Sequence, residues 1–238
     1  MPKIARQIIQ KAVQQKQYQL LEPQAKELIE AFGIPTTRHS LVYSVKEAVL
    51  AANSIGYPVV MKVVSPDVLH KTDYGGVRLN VKNGDEVEYG YEGILKNVKK
   101  KVPDARITGI LVEEMATPST EVIIGGLRDP QFGPAVMFGI GGIFVEVYKD
   151  ASFRIAPVDE FEAIDMINEI KGAKILKGFR GAEAVDIAAL AQAIVHISDI
   201  MVSINEIKEI DLNPVLVYLK GIKAVDVRII LSERIEGV

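Results

Sequence analysis

The stretch "YPVVMKVVS" (57–65) constrains the fold more than any other part of the sequence. It is a short, valine-rich and nearly all-apolar run, which is typical of a strand that is covered on both faces. The residues before it, "SVKEAVLAANSIG", begin with Ser44 and Glu47 at the spacing of a capping box and end with Gly56, a helix stop. The sequence here therefore predicts a helix that is followed by a buried strand.

The segments around this pair extend the pattern. "TTRHSLVY" predicts a strand before the helix, and "GVRLNV" predicts a strand after the buried one. Asn83-Gly84 then reads as a turn, "DEVEYGYEGILKNVKKKV" as a helix and "ITGILVEEM" as a strand. From Thr36 to Met115 the order is strand, helix, strand, strand, helix, strand, a split βαβ arrangement of α+β type. The lysines of "KNVKKK" suit the negative pole at the end of that helix, and we assign them no function.

The rest of the chain predicts a second lobe. "EVIIGGLRDPQFGPAVMFGIGG" indicates two strands joined through Asp129-Pro130 and then a glycine-rich loop, and "VEVYKDASFRIA" indicates a further strand pair. Helices are expected around 159–169 and 186–203, before a terminal hairpin that turns at 219–221. We predict an N-terminal helix in residues 1–19 that packs on the second lobe. The first lobe is expected to span residues 20–112 and the second residues 113–238. A further helix in the first lobe begins at Glu22-Pro23 and ends at Gly33.

Charge and composition exclude several classes of protein. The 28 basic and 31 acidic residues are mixed along the chain, which disfavours binding to nucleic acid. The absence of cysteine excludes disulfides, thiolate metal sites and a cysteine nucleophile. No segment approaches the roughly 20 apolar residues of a membrane helix, so we expect a soluble, cytoplasmic protein.

Common hydrolase and phosphate-binding motifs are missing from the sequence. There is no G-x-S-x-G to present a strained serine and no H-E-x-x-H, and the three histidines, His39, His70 and His196, are far apart. The glycine-rich "FGIGGIFVEV" contains neither a P-loop nor a convincing dinucleotide fingerprint. A serine hydrolase and a zinc enzyme are therefore disfavoured.

His70 and Lys62 stand out chemically. His70 lies in "SPDVLHKTDYGGV", where Gly75 and Gly76 allow the backbone to approach a ligand while the imidazole projects. A histidine in an ordinary surface turn is the alternative interpretation. Lys62 is a single charge among apolar neighbours and indicates either a phosphate-binding lysine or one that reaches solvent or pairs with a core carboxylate.

Acidic residues mark the connection between the two lobes. Glu113 and Glu114 end one apolar strand and Glu121 opens the next, in a connector whose backbone groups can bind a planar base. Taken alone, such residues are equally typical of solvated strand ends.

The terminal hairpin predicts a polar pair. With the turn centred between Leu219 and Lys220, Asn213 lies opposite Asp226, and Asp211 lies opposite Arg228. Alternation places all four side chains on one face. Carboxylate and amide oxygens suit magnesium, although a solvated polar face fits the spacing equally well.

Together these residues resemble one family. Lys62, "SPDVLHKTDYGGV", "ILVEEMATPSTEVIIGGLRDPQFGPAVMFGIGGIFVEVYKDASFRIAP" and "EIDLNPV" are similar to the ATP-grasp β subunit of ADP-forming (NDP-forming) acyl-CoA synthetases, in particular the archaeal acetyl-CoA synthetases, which are relatives of succinyl-CoA synthetase. The resemblance implies an α+β ATP-grasp fold with the nucleotide between two lobes. It also implies the reversible reaction of acyl-CoA, ADP and phosphate to acid, CoA and ATP.

The resemblance also implies roles for individual residues. His70 would be a phosphorylated relay to ADP. Magnesium would be held by Asn213 and Asp226. The residues implied in binding ATP or ADP are Lys62, Gly75, Gly76, Glu113, Glu114 and Glu121. The CoA-binding half is missing, so the family pattern implies a separate α subunit with its own phosphorylated histidine, in an α2β2 assembly.

Two other functions fit parts of the sequence. A stand-alone ATP-grasp carboxylate ligase would phosphorylate a bound acid and needs no phosphohistidine. A nucleotide-sensing subunit would bind ADP without transferring a phosphoryl group. Transfer of a labelled phosphoryl group to His70 would distinguish the relay from both of these functions.

Overall fold

The computed structural model describes residues 1–68, 70–141, 150–178 and 183–232. The chain divides into two compact units, of which the smaller is Thr37–Thr117 and the larger combines Met1–Thr36 with Pro118–Val238. Within the described residues, no helix is long and apolar enough to cross a membrane.

The smaller unit has the predicted order of elements. It contains β1 (His39–Val42), α3 (Val45–Ile55), β2 (Val59–Val64), β3 (Val77–Val81), α4 (Gly84–Lys101) and β4 (Gly109–Glu114). The strands form an antiparallel sheet in the order β1-β4-β2-β3. All six residues of β2 are buried, as its valine-rich sequence predicts.

Local side chains fix the ends of the helices in this unit. The Ser44 hydroxyl accepts the Glu47 amide at the start of α3, whereas the Glu47 carboxylate accepts the amide of Tyr43 rather than that of Ser44. Gly56 ends α3 at φ +94°. The predicted turn at Asn83-Gly84 is a helix start instead, because the Asn83 side chain caps the Glu86 amide.

Within its described residues, the larger unit contains four longer helices, one short helix and six strands. Its described elements are α1 (Lys3–Gln14), α2 (Glu22–Ala31), β5 (Thr120–Asp129), β6 (Gly133–Ile140), β7 (Ala151–Ile155), α5 (Glu160–Glu169), α6 (Ala173–Leu176), α7 (Ile187–Ser203), β8 (Ile207–Val217), β9 (Ile222–Ala224) and β10 (Val227–Leu231). The sheet order is β10-β8-β5-β6-β7, with β9 paired to β8. One face of this sheet packs on α1, α2, α5 and α7 in a single apolar core.

The predicted lobe boundaries need correction. Residues 20–36 belong to the larger unit and not to a lobe at 20–112, because Ala25, Leu28 and Ile29 of α2 lie in its core and the Ala224 amide bonds to the carbonyl of Pro35. The other predicted boundary, at residue 113, lies a few residues before the end of the smaller unit at Thr117. Within the larger unit, α1 contributes to the same core.

Two predictions lie partly outside the described residues. The first strand expected in "VEVYKDASFRIA" and the end of the glycine-rich loop fall within 142–149. The second strand of that pair is β7, and it pairs with β6. The two strands predicted around Asp129-Pro130 are β5 and β6, and the Asp129 carboxylate closes their turn by accepting the amides of Gln131 and Phe132.

Candidate functional site

Lys62 pairs with a buried carboxylate inside the smaller unit. Its Nζ lies 2.6 Å from Oε1 of Glu113, and the residues are 7% and 1% exposed. The second oxygen of Glu113 accepts a 2.7 Å hydrogen bond from the hydroxyl of Thr37. Burying either charge alone would be unfavourable, so the pair and the hydroxyl stabilise one another. Of the alternatives that the sequence left open, the structure shows Lys62 paired with a core carboxylate.

Glu114 has a different partner. Its carboxylate accepts the Arg38 amide at 3.0 Å and the Arg38 Nε at 3.0 Å, while the Glu114 amide donates to the Arg38 carbonyl. Next along the chain, the Met115 amide donates to the carbonyl of Pro58. Successive residues of a strand point to opposite faces, so the two glutamates serve different sides of the sheet. Sequence reasoning found both glutamates but neither partner.

The His70 turn, residues 70–76, is compact and carries an exposed histidine. The His70 carbonyl accepts the Asp73 amide at 3.1 Å, and the Lys71 carbonyl accepts the Gly76 amide at 2.7 Å. Gly75 adopts φ +66°, a left-handed conformation that favours glycine. A Cβ on Gly76 would lie 2.6 Å from Cγ1 of Val63, so only glycine fits there. The glycine pair therefore shapes the end of the turn.

Glu121 lies in the larger unit, exposed on β5 and opposite Leu216 of β8. The Gly141 amide donates to the Glu121 carbonyl at 2.8 Å, and a Cβ on Gly141 would lie 3.0 Å from Cβ of Glu121. Gly141, directly after β6, thus lies against the backbone of Glu121. The spacing of glycines in the sequence did not reveal this contact.

The predicted register of the terminal hairpin is confirmed. Asp211 pairs with Arg228, and the Asn213 amide donates to the Asp226 carbonyl at 3.2 Å. Asn213 is exposed and Asp226 is half-buried, on the face opposite the apolar core. The described residues contain no group of three or more acidic, histidine or cysteine side chains that could hold a metal ion.

Arg228 contacts a second carboxylate besides that of Asp211, which lies opposite it. Its guanidinium hydrogen-bonds to Glu209, whereas the nearest oxygen of Asp211 lies 3.9 Å away. Burial raises the pKa of Asp211, and the positive charge of Arg228 opposes that rise. Arg228 is therefore shared between two carboxylates instead of neutralising Asp211 alone.

β8 carries a bulge against β5 at Asn213 and Pro214. Val122 pairs with Val215 and Ile124 with Leu212, so Asn213 and Pro214 together face the single residue Ile123. Proline has no N–H for the ladder and is found at such bulges, which redirect neighbouring side chains. A proline within a strand is the sequence signal that could have revealed this bulge.

Comparison with known proteins places the chain in a family. It matches the ATP-grasp domain over residues 11–231. The chain belongs to the ATP-grasp family. It is 48% identical to the "Acetate--CoA ligase [ADP-forming] I subunit beta" of Pyrococcus furiosus, over 95% of this chain and 97% of that one. It is also 48% identical to the "Acetate--CoA ligase [ADP-forming] I" of Archaeoglobus fulgidus, over 87% of this chain but 30% of that longer protein.

Solved structures of a Ca. Korarchaeum cryptofilum acetyl-coenzyme A synthetase have the same fold. One contains coenzyme A and Mg-AMPPCP, with the "phosphohistidine segment pointing towards nucleotide binding site" (48% identity, TM-score 0.86). Another contains the "phosphorylated phosphohistidine segment (site I orientation)" (50% identity, TM-score 0.90). Each covers 96% of this chain and 100% of the other. The resemblance and the α+β ATP-grasp fold inferred from the sequence are confirmed.

Proposed function

We propose that this chain is the nucleotide-binding β subunit of an ADP-forming acyl-CoA synthetase and that His70 carries the phosphoryl group. The observation that carries the proposal is the exposed histidine on a compact turn closed by two glycines. The chain is also similar to a Korarchaeum synthetase whose solved complexes are described with a phosphohistidine segment. The reaction converts acyl-CoA, ADP and phosphate into acid, CoA and ATP.

The transfer at His70 uses the imidazole as a nucleophile. In the direction of ATP cleavage, a ring nitrogen attacks the γ-phosphorus. The new N–P bond forms as the bond to the β-phosphate oxygen breaks, and ADP leaves. The reverse step returns the phosphoryl group to ADP. Since little other chemistry is required, catalysis depends on positioning and on stabilising negative charge.

Lys62 is proposed as the phosphate-binding cation. An ammonium has three donors, so its bond to Glu113 is compatible with a further contact to phosphate. Glu113 then acts on the nucleotide through Lys62. The amides of Glu114 and Met115 already donate to Arg38 and Pro58, so the carbonyls of Glu114 and Met115 are the backbone groups that would face the base. Glu121 would contact the ribose or the phosphates, and the Gly75-Gly76 backbone would approach the phosphoryl group.

Asn213 and Asp226 fit a magnesium ion. They join a neutral amide oxygen and a carboxylate side by side on an accessible sheet face, and magnesium prefers such hard oxygen ligands together with phosphate and water. Magnesium bound there would offset the negative charge of the nucleotide phosphates. The register of the terminal hairpin places Asn213 beside Asp226.

A CoA-binding α subunit is proposed as the partner. The name of the Pyrococcus relative is that of a β subunit, and the Archaeoglobus relative is a longer chain of which this chain matches 30%. An α2β2 assembly with a second phosphorylated histidine on α, and a cytoplasmic location, remain predictions. The isolated chain should form no acyl-CoA from acid, CoA and ATP, and activity should appear when the α subunit is added.

Labelling tests the proposal. The purified chain is incubated with magnesium and ATP labelled on its γ-phosphate, and an acid-labile, alkali-stable label on His70 is expected. His70→Ala should abolish the label and leave ADP affinity unchanged, while His39→Gln serves as a matched histidine control. ADP binding without any label on the wild-type chain would favour a nucleotide-sensing subunit. A label that persists in His70→Ala would reject the relay.

A further inference from the structure

The His70 turn is held from outside by the end of one helix. The Lys101 ammonium, on the last residue of α4, donates a hydrogen bond to the carbonyl of Asp73. The Asn97 side chain occupies the space beside Gly75, where a Cβ would lie 2.9 Å from Nδ2 of Asn97. Lys101 belongs to the "KNVKKK" cluster, to which the sequence alone gave no function.

A second contact fixes the chain just before the turn. The carboxylate of Asp67 accepts three hydrogen bonds from Arg106: from the backbone amide at 2.8 Å, from Nε at 3.0 Å and from Nη2 at 2.7 Å. These bonds hold the pKa of Asp67 at about 2. Arg106 lies in the connection between α4 and β4, so both contacts come from the same end of α4.

The two flanks of the turn are fixed as well. Val68 is 1% exposed and packs in the core of the smaller unit. On the other side, the Gly76 carbonyl accepts the Val63 amide at 2.7 Å. An extended chain spans roughly 3.3–3.6 Å per residue, so the Cα of His70 stays within about 7 Å of the Cα of Val68. While Val68 stays buried, the Cα of His70 can therefore move by about 14 Å at most.

The two contacts differ in kind. The Asp67 contact has three bonds, one of them to the backbone, and it adjoins a buried valine, so it has the properties of a permanent anchor. The Lys101 contact is a single bond from a flexible, exposed side chain to one carbonyl, so it can open without disturbing the core.

We propose that Arg106 and Lys101 are positioning residues for His70. Arg106 holds Asp67, which we call the pivot of the His70 turn. The bond from Lys101 to the Asp73 carbonyl, which we call the catch, holds the turn on α4 and can be released. This inference rests on the proposed relay, in which His70 serves both the nucleotide and the α subunit.

Release of the catch has an effect that simple destabilisation lacks. The docked turn favours phosphoryl transfer at one of two sites, the nucleotide or the α subunit, and the released turn favours transfer at the other. Loss of the Lys101 bond therefore changes the two half-reactions in opposite directions. A loss of folding would slow both of them.

The test compares Lys101→Met with Lys100→Met, which removes the same charge from the neighbouring exposed position of α4. Hydrogen exchange of the Asp73 and Gly75 amides, phosphorylation of His70 by Mg-ATP, and transfer of the label to the α subunit are measured. In Lys101→Met we expect exchange to be about 2- to 10-fold faster, as for the loss of one hydrogen bond. The two transfer rates should shift by a similar factor in opposite directions, with an unchanged KM for ATP.

The outcomes separate this inference from the proposed function. A wild-type chain that carries no label on His70 would reject the relay itself. If the wild-type chain is labelled but Lys101→Met and Lys100→Met have the same hydrogen-exchange rates and the same two phosphoryl-transfer rates, only the proposed role of Lys101 is overturned. Slowing of both transfers by the same factor would also overturn it.

The anchor has its own test. Arg106→Gln should speed exchange across the whole His70 turn, and not only at Asp73 and Gly75. Asp67→Asn combined with Arg106→Gln should give less than the sum of the two single effects, because both changes act on the side-chain bonds between these residues. Additive effects on exchange, or exchange rates equal to those of the wild type, would contradict a pivot at Asp67.

Discussion

Nζ of Lys62 and Oε1 of Glu113 lie 2.6 Å apart on neighbouring strands, and both residues are almost completely buried. The Thr37 hydroxyl completes the hydrogen bonding of the carboxylate. Glu114, the next residue, also pairs with a cation, but the side chain of its partner Arg38 is 65% exposed. Adjacent glutamates thus form one buried and one exposed ion pair.

Glu113→Gln should lower the free energy of unfolding by about 3 kcal/mol, because it leaves the Lys62 ammonium buried without a counter-charge. Glu114→Gln is the matched control and should lower it by less than about 1 kcal/mol, since solvent screens the exposed pair. Urea denaturation measures both values. ADP affinity should fall only in Glu113→Gln, where Lys62 loses its support. Equal losses of unfolding free energy in Glu113→Gln and Glu114→Gln would contradict the distinction between a buried and an exposed ion pair.

Asp226→Asn should raise the magnesium concentration needed for half-maximal phosphorylation of His70, because an amide is a weaker ligand than a carboxylate. Asp211→Asn is the control on the same sheet face and should change mainly the stability. A magnesium titration of the labelling reaction compares the variants. An unaltered requirement in Asp226→Asn would remove this pair from the nucleotide site.

Arg128→Ala should destabilise the larger unit by about 2–4 kcal/mol, because the guanidinium bonds to the carbonyls of Met201, Ile204 and Ile207, where α7 ends and β8 begins. Arg154, whose guanidinium pairs with the exposed Glu169, supplies the control. Arg154→Ala should change stability by less than about 1 kcal/mol. Thermal unfolding distinguishes them, and similar losses would show that the helix end needs no arginine.

The features that the sequence predicted are those that local patterns determine. The order of elements in Thr37–Thr117 follows from helix stops and from the valine-rich β2. The hairpin register follows from one turn, since a centre between Leu219 and Lys220 fixes every pair from Val217 with Ile222 to Asp211 with Arg228. Both predictions need only residues that are close in sequence.

The features that the sequence did not predict depend on distant partners. Glu113 lies 51 positions after Lys62, and Arg106 lies 39 positions after Asp67, so no periodicity relates them. The membership of α2 in the larger unit depends likewise on packing against strands far along the chain. Patterns show that a charged residue needs a partner, but only the fold determines which one.

The titration of Asp67 tests the anchor of the His70 turn directly. Its pKa of about 2 is lowered first by the side-chain hydrogen bonds from Arg106 and then by the Arg106 amide. Because the folded pKa is depressed, the contact stabilises the fold above the ordinary aspartate pKa of about 3.9 and is lost as the pH falls through 2.

In Arg106→Gln the Asp67 pKa should rise towards its ordinary value without reaching it, since the backbone amide still donates. NMR titration of the Asp67 carboxylate measures this shift, and Arg154→Gln, far along the chain, should leave it unchanged. The protection factors of the amides in the His70 turn, which are exchange rates corrected for the intrinsic effect of pH, should fall over the same pH interval in which Asp67 takes up its proton, because protonation weakens the bonds from Arg106. Protection factors that stay constant while Asp67 titrates would separate the ion pair from the turn and remove Asp67 as its pivot.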